Sequence, residues 1–374
     1  MTPSSGSMRP ETPEYRGPLR TGLTTGACAT AASLAAARLL LTGKRTTALT
    51  IRLPRGGEPE MTIADLMCTG DSATAGIIKD AGDDPDATHG ARLWVEIRLL
   101  QRPGFEFVAG AGVGTVTRKG LSLAVGEPAI NPVPRQMITE HLQQLAEEAD
   151  FTGGFRVTVG VDNGEKIALR TMNGRLGIIG GLSVLGTTGI VRPFSCAAYI
   201  ASIHQSVDVA RANGLTHLAG CTGGTSELFV SRQYGLSEMA IVEMGDLFGA
   251  LLKYLRRNSV PRFTLVSGFG KLSKFAAGHP DTHSRKCAID LPWLARQAAA
   301  LGATETLQAM ISRSNTSIET LGYCQQAGIP LGDRLAQLAL ARVYAYLPAD
   351  IGVAVCAIDR GGELVGYADR ATQP

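Results

Sequence analysis

The sequence predicts two folded units, an α+β domain over residues 19–191 and an α/β domain with a mainly parallel sheet over residues 192–374, after a lead of residues 1–18. Three observations carry this reading. With 374 residues the chain has the length of roughly two ordinary domains. As far as residue 191 it reads as β-rich patches interrupted by few helices, the pattern of an α+β fold. From residue 192 helix and strand alternate regularly, which marks parallel βαβ units.

Residues 1–18 are rich in Pro, Ser, Thr and Gly without an apolar h-region, so they read as a disordered lead rather than a signal peptide. An alanine-rich helix follows over about 26–41, with Thr25 as N-cap and Gly43 past its end. Strands are expected at 48–53, 60–67, 91–100 and 106–109, the first two separated by a turn at Pro54-Arg55-Gly56-Gly57. Over about 134–149, Met137, Ile138, Leu142 and Leu145 recur at helical spacing behind a proline suited to a first turn. Short strands at 155–161 and 177–179 complete the first domain. The second opens with a helix over about 195–212, stopped by Asn213-Gly214. Strands at 215–219, 239–243 and 263–267 then alternate with a glycine loop and a helix at 247–257. Helices near 291–302 and 331–347 lead to a hairpin, 352–359 and 363–367, about Arg360-Gly361-Gly362.

Composition narrows the function. Glycine is 45 of 374 residues, about 12% against a usual ~7%, but with 18 prolines and 44% hydrophobic residues the chain is not low-complexity. A net charge of +3 with 18% charged residues is too weak for nucleic acid and suits small acidic substrates. Seven cysteines, an odd number without a CxxC pair, read as reduced thiols of a cytoplasmic protein. The uncharged run 176–191 is shorter than the ~20 residues of a membrane helix.

Four glycine loops differ in promise. Gly110-Ala111-Gly112-Val113-Gly114 follows a strand but precedes strand and turn rather than a helix, so a tight turn fits better than a dinucleotide site. The run 177–189, with Gly186, Thr187 and Thr188, resembles a phosphate loop without its lysine; connector and ligand-lining readings both stand. Gly220-Cys221-Thr222-Gly223-Gly224 follows a strand, opens a helix and is trailed by Glu243 at the end of the next strand. That arrangement suits an adenosine-bearing cofactor, NAD or S-adenosylmethionine, because glycines admit the backbone and a carboxylate accepts from ribose hydroxyls. The fourth loop, 268–274, joins His279, His283, Arg285 and Lys286 to Lys271 and Lys274 in a dense basic cluster, a ready anion or acid/base site. The acidic run 79–89 fits no EF-hand and reads as a polar turn, so no metal site is expected. His141, His204 and His217 fall in element interiors and read as packed residues.

Together, separated segments resemble one family, the cobalt-precorrin-5B C(1)-methyltransferases of cobalamin biosynthesis (the CbiD family). They are residues 20–32, from Arg20-Thr21-Gly22-Leu23-Thr24-Thr25-Gly26, then 79–88, 110–114 with 125–135, 171–191, Gly270-Lys271-Leu272-Ser273-Lys274 and Thr282-His283-Ser284. Phe269 stands where a histidine is expected in the pattern, and residues 286–290, with Asp290, have diverged. The resemblance implies a ribosomal S5 domain 2-like first domain and a Rossmann-like second. It also implies methyl transfer from S-adenosylmethionine to C-1 of a cobalt corrinoid, giving cobalt-precorrin-6A, with the cobalt carried by the substrate.

Under that reading Gly220, Thr222, Gly223, Gly224 and Glu243, or Gly186, Thr187 and Thr188, hold the methyl donor. Thr24, Thr25, Gly26, Arg135, Lys271 and Lys274 meet the acid arms of the corrinoid, and His283 or else Asp80 takes a ring proton. The expected partner is the small-molecule corrinoid, with a homo-oligomer and hand-over of intermediates to other corrin-pathway enzymes as further expectations. The competing readings are a nicotinamide-dependent reductase of the same pathway and a non-catalytic corrinoid or cobalt carrier.

Overall fold

A computed structural model describes residues 18–370. All but the last residue of the expected lead therefore lie outside the described residues. In the first unit, β1 (Asp65–Thr69), β2 (Ser72–Ile78), β3 (Arg92–Leu100), β4 (Phe105–Ala109) and β5 (Gly154–Val161) form one sheet in the order β1-β2-β3-β5-β4. Its pairs are antiparallel except β5 with β4. Helix α1 (Thr25–Thr42) lies on this sheet with α2 (Pro132–Glu148) packed against it. Residues 25–37 of α1 are all buried, and its alanines let it sink between sheet and helix.

Several expected boundaries move for identifiable reasons. Thr24, not Thr25, caps α1, its Oγ1 accepting from Ala27 N at 3.2 Å. The strand expected at 60–67 is two, because Glu60–Thr62 pairs with Ala48–Thr50 while β1 turns to β2. Strand β2 lies where the sequence shows no strand signal: its Ala73, Ala75 and Gly76 carry little β propensity, but small side chains are what α1 can cover.

In the second unit α3 (Cys196–Ala212) leads into β6 (His217–Cys221), then α4 (Gly224–Tyr234), β7 (Ile241–Glu243), α5 (Phe248–Arg257), β8 (Arg262–Gly268) and α6 (Phe269–Ala276). Helices α7 (Leu291–Ala299), α8 (Glu305–Arg313), α9 (Ser317–Gln326) and α10 (Leu331–Tyr344) precede the hairpin of β9 (Gly352–Ile358) and β10 (Leu364–Arg370). The sheet order is β7-β6-β8-β9-β10, parallel except for the last strand. Helix α4 covers one face through Val230, while α3, α5, α6 and α10 share the core on the other. The loop expected at 268–274 is helical from Phe269, because Phe269, Leu272, Phe275 and Ala276 form a buried stripe at helical spacing.

The two units touch at several points. Asn213 Nδ2 donates to Lys119 O at 2.9 Å, and a Cβ on Gly120 would lie 2.6 Å from Val209 Cα. Phe194 N donates to Asp84 Oδ1 at 2.8 Å, and Arg175 pairs with Glu227.

Candidate functional site

The second sheet reverses direction of growth between β6 and β8: from β6 the chain moves out to β7, then returns past β6 to lay β8 on its other side. In open α/β sheets a crevice forms outside the carboxyl ends of the strands at such a switch point, and ligands bind there. The loops after β6 and β7 and the start of α6 after β8 all lie at this edge. Glu243 is in register with Cys221, so its carboxylate stands beside the 220–224 loop. Thr222 N and Gly223 N donate to Ser226 Oγ at 2.9 and 3.1 Å, which ties the turn back onto α4. Gly224 and Thr225, in the first turn, have N–H groups with no intrahelical acceptor. A Cβ on Gly223, Gly224 or Gly268 would meet nothing within 4 Å, so these loop faces are open. Gly220 differs, since a Cβ there would lie 2.7 Å from Leu251 Cδ2 and 3.0 Å from the Phe263 ring. Its glycine serves packing. Burial pushes the Cys221 thiol up, which keeps it protonated and unreactive.

The expected basic cluster is organised by a carboxylate that the sequence reading missed. Asp246 Oδ1 lies 3.2 Å from Lys271 Nζ and accepts from Thr282 Oγ1 at 2.8 Å, and its carbonyl accepts from Thr282 N. Lys274 Nζ donates to Thr282 O at 3.1 Å and makes no ion pair among the described residues. It is thus available to a carboxylate. His283 is exposed, with Nδ1 accepting from Arg285 N at 3.2 Å, so its neutral ring carries the proton on Nε2. Tyr199 of α3 closes the side of this edge, packed on Gly245. Burial raises its phenol to about 12, and Glu243, Asp246 and Glu227 add to the effect, so it remains a donor at neutral pH. The position of Asp246 three residues past a parallel strand end was a signal available in the sequence.

A second cluster gathers the other predicted residues around the start of α1. Thr24, Thr25 and Gly26 are buried. Thr25 Oγ1 accepts from Leu185 N at 2.9 Å and Gly26 N donates to Leu185 O at 3.0 Å, so residue 185 closes the helix N-terminus. Gly186 packs on the Thr24 side chain, Thr188 Oγ1 bonds the backbone of Ile190, and Thr187 is exposed. Close backbone contact builds the adjoining wall: Gly82, at φ +68°, meets Gly22 where a Cβ on Gly22 would lie 2.0 Å from Ala81 C. Asp80 is held by Arg20 and by Gly82 N, and the Arg20 guanidinium pulls its carboxyl down to about 2. At that value it is a weak base. Arg135 donates to Ile130 O and Pro128 O at 2.8 and 3.1 Å and pairs with Glu127 at 2.8 Å, so it braces its own loop.

The remaining candidates have structural partners. In the 79–89 run, Asp83 accepts from Arg20 N and Asp84 from Phe194 N. Among the described residues no group of three or more His, Cys, Asp or Glu is placed to hold a metal ion. His141 bridges Met137 O and Arg52 N, His204 stacks on Tyr254 at 3.8 Å, and His217 bonds Thr264 Oγ1. Asp290 caps α7 through Trp293 N. Residues 110–114 run into Gly112–Val113 and Thr115–Val116, short strands with no helix behind them. A cleft of about 540 Å³ opens at the opposite strand ends, beside Asp208, Arg211, Thr216 and Pro261, away from every glycine loop discussed above.

Fold and loops thus define an α/β protein whose second sheet has a topological switch point bordered by the 220–224 loop and Glu243. The chain belongs to the CbiD family: the CbiD profile matches residues 12–193 and that of the CbiD C-terminal domain residues 281–369. Proteins named cobalt-precorrin-5B C(1)-methyltransferase are similar along almost the whole length. Those of Pseudomonas putida strains F1 and KT2440 are each 61% identical over 361 residues, 96% of this chain and 99% of theirs. That of Pseudomonas entomophila is 60% identical over the same span. A crystal structure of a cobalamin biosynthesis protein (cbiD) from Archaeoglobus fulgidus is 26% identical, covers 72% of this chain and 83% of that one, and has a TM-score of 0.39.

Proposed function

We propose that this chain is a cytoplasmic S-adenosylmethionine-dependent methyltransferase that methylates C-1 of cobalt-precorrin-5B in cobalamin biosynthesis. The observation that carries the proposal is identity of about three residues in five, end to end, with relatives of that name. In the same reading the first unit, to about residue 191, is ribosomal S5 domain 2-like and the second Rossmann-like, and cobalt enters on the substrate.

The donor supplies an electrophilic methyl on a sulfonium. The residues at the switch point suit it: the first-turn N–H groups of Gly224 and Thr225 offer donors, the open faces of Gly223 and Gly224 admit a ligand, and Glu243 can accept from ribose hydroxyls. Thr222 shapes the turn, and Gly186, Thr187 and Thr188 are the alternative donor wall. Lys271 and Lys274 meet carboxylate arms of the corrinoid, Lys271 releasing Asp246 to do so. Thr24, Thr25, Gly26 and Arg135 act through the bonds they make to the backbone, which hold the start of α1 and the loop before α2. Held in line, a nucleophilic ring carbon and a sulfonium methyl need little beyond positioning and exclusion of water. His283 handles the ring proton, giving up the Arg285 N–H bond to use Nδ1 as base. Asp80, bound to Arg20, anchors the wall instead.

Calorimetric titration of the full chain with S-adenosylhomocysteine, NADPH and cobalt tests the proposal. Binding of the homocysteine compound is expected; tight NADPH binding without it would overturn the reading in favour of a reductase. His283→Ala is expected to slow single-turnover methylation about 100-fold, the ordinary scale of general acid–base catalysis. An undiminished rate removes His283 from the mechanism.

A further inference from the structure

The 220–224 corner is rich in carboxylates, with Glu227, Glu238 and Glu243 close together. Between Arg211 and Arg232 the chain has no lysine or arginine. A guanidinium of the first unit reaches this corner. Arg175 Nη1 and Nη2 donate to Glu227 Oε1 and Oε2 at 2.9 and 2.6 Å, a two-pronged pair whose side chains are 27% and 13% exposed. Glu227 raises the pKa of Arg175, and Glu238 and Glu243 add to it, so Arg175 also lies within the field of the Glu243 carboxylate. The arginine is itself held. Its carbonyl accepts from Arg118 Nη1 at 3.0 Å, and Gly177 two residues on lies against the Arg118 stem. Glu227 is in the first turn of α4, three residues after Gly224, so whatever holds Glu227 holds the turn that carries the free N–H groups.

We infer that Arg175 is a positioning residue for the methyl donor: by gripping Glu227 it fixes the start of α4, and the donor site of the second unit is complete only with the first unit docked. This rests on the donor reading of the 220–224 loop. A two-pronged arginine–carboxylate pair transmits orientation as well as charge, which a lysine would not reproduce.

The test is S-adenosylhomocysteine titration and steady-state kinetics on the full-length wild type, Arg175→Ala, Arg175→Lys and the exchange Arg175→Glu/Glu227→Arg. Arg175→Ala is expected to weaken binding and raise the donor KM about tenfold with kcat within about twofold, the signature of lost binding rather than lost chemistry. Arg175→Lys, which keeps the charge and serves as the measured variant if Arg175→Ala does not fold, should lose about threefold. The exchange should recover wild-type affinity to within about threefold, because the pair and not either residue carries the effect. Unchanged affinity in both single variants overturns the inference. So does an exchange variant as weak as Arg175→Ala, since the guanidinium would then touch the ligand itself. A wild type that fails to bind the homocysteine compound overturns the donor reading and this inference together, whereas normal wild-type binding with indifferent variants overturns this inference alone.

Discussion

Alanine at Glu243 is expected to weaken S-adenosylhomocysteine binding about 100-fold while leaving thermal stability within about 0.5 kcal/mol of wild type. Glu243 ends β7 in register with Cys221 and makes no salt bridge among the described residues, so its carboxylate is not needed to hold the fold. Hydrogen bonds to a charged acceptor contribute about 1.5–3 kcal/mol, and about 1.4 kcal/mol is tenfold in affinity, so one good ribose contact is worth roughly 10- to 100-fold and two reach the upper end. Glu243→Gln keeps an acceptor without the charge and should fall between, near tenfold. Calorimetry on the three proteins gives the order directly. If Glu243→Ala binds within threefold of wild type, the ribose does not lie at β7, and the 186–188 segment beside Thr24 becomes the donor wall.

How far this site could be read from the chain depends on what kind of contact makes it. The 220–224 loop and Glu243 were legible because a strand, a glycine turn and a following acidic residue are local and sit at fixed offsets. The terminal hairpin was legible for the same reason, with Arg360-Gly361-Gly362 marking its turn. Tyr199 and the Arg175–Glu227 pair were not, and the strand end before Asp246 marks its place but not its partners. Each acts across long sequence separations, 36 residues for Asp246 with Thr282 and 52 for Arg175 with Glu227, and no periodicity encodes such a meeting. The helix start at Thr24-Thr25-Gly26 shows the converse. Its hydroxyls and N–H groups look like an anion site in sequence, yet the backbone of residue 185 fills it in three dimensions. Strand β2 failed to show because its small residues answer the approach of α1 rather than any preference of their own.

Asp86→Ala should be the most destabilising single change in the 79–89 loop, costing about 3–5 kcal/mol, because it leaves a buried ammonium without its partner. Lys79 has a side chain only 2% exposed, and its Nζ donates to Asp86 Oδ2 at 2.6 Å. The other oxygen of Asp86 accepts from Thr88 N at 2.8 Å and Thr88 Oγ1 at 2.6 Å, so one carboxylate holds both ends of the turn. The pair is asymmetric, since Asp86 is 25% exposed and can be hydrated when alone. Lys79→Met should therefore cost less, about 1–2 kcal/mol, and the double variant should lie near Lys79→Met rather than at the sum. Urea unfolding of the four proteins settles the order, and a smaller loss in Asp86→Ala than in Lys79→Met contradicts it. Acidity supplies an independent check. Burial raises the Asp86 carboxyl, but the bonds from Lys79 and Thr88 outweigh it and the net shift is downward. A carboxyl lowered in the folded state stabilises fully above its unfolded pKa of about 3.9 and ceases to do so as pH falls through the folded value. The stability gap between wild type and Asp86→Asn should accordingly be flat from pH 7 to about 5 and close below about 4. Function should follow the fold here. The same loop presents Asp80 and Asp83 to Arg20 and Asp84 to Phe194, so loosening it frees both the wall beside α1 and the entry to α3 that carries Tyr199 to the crevice.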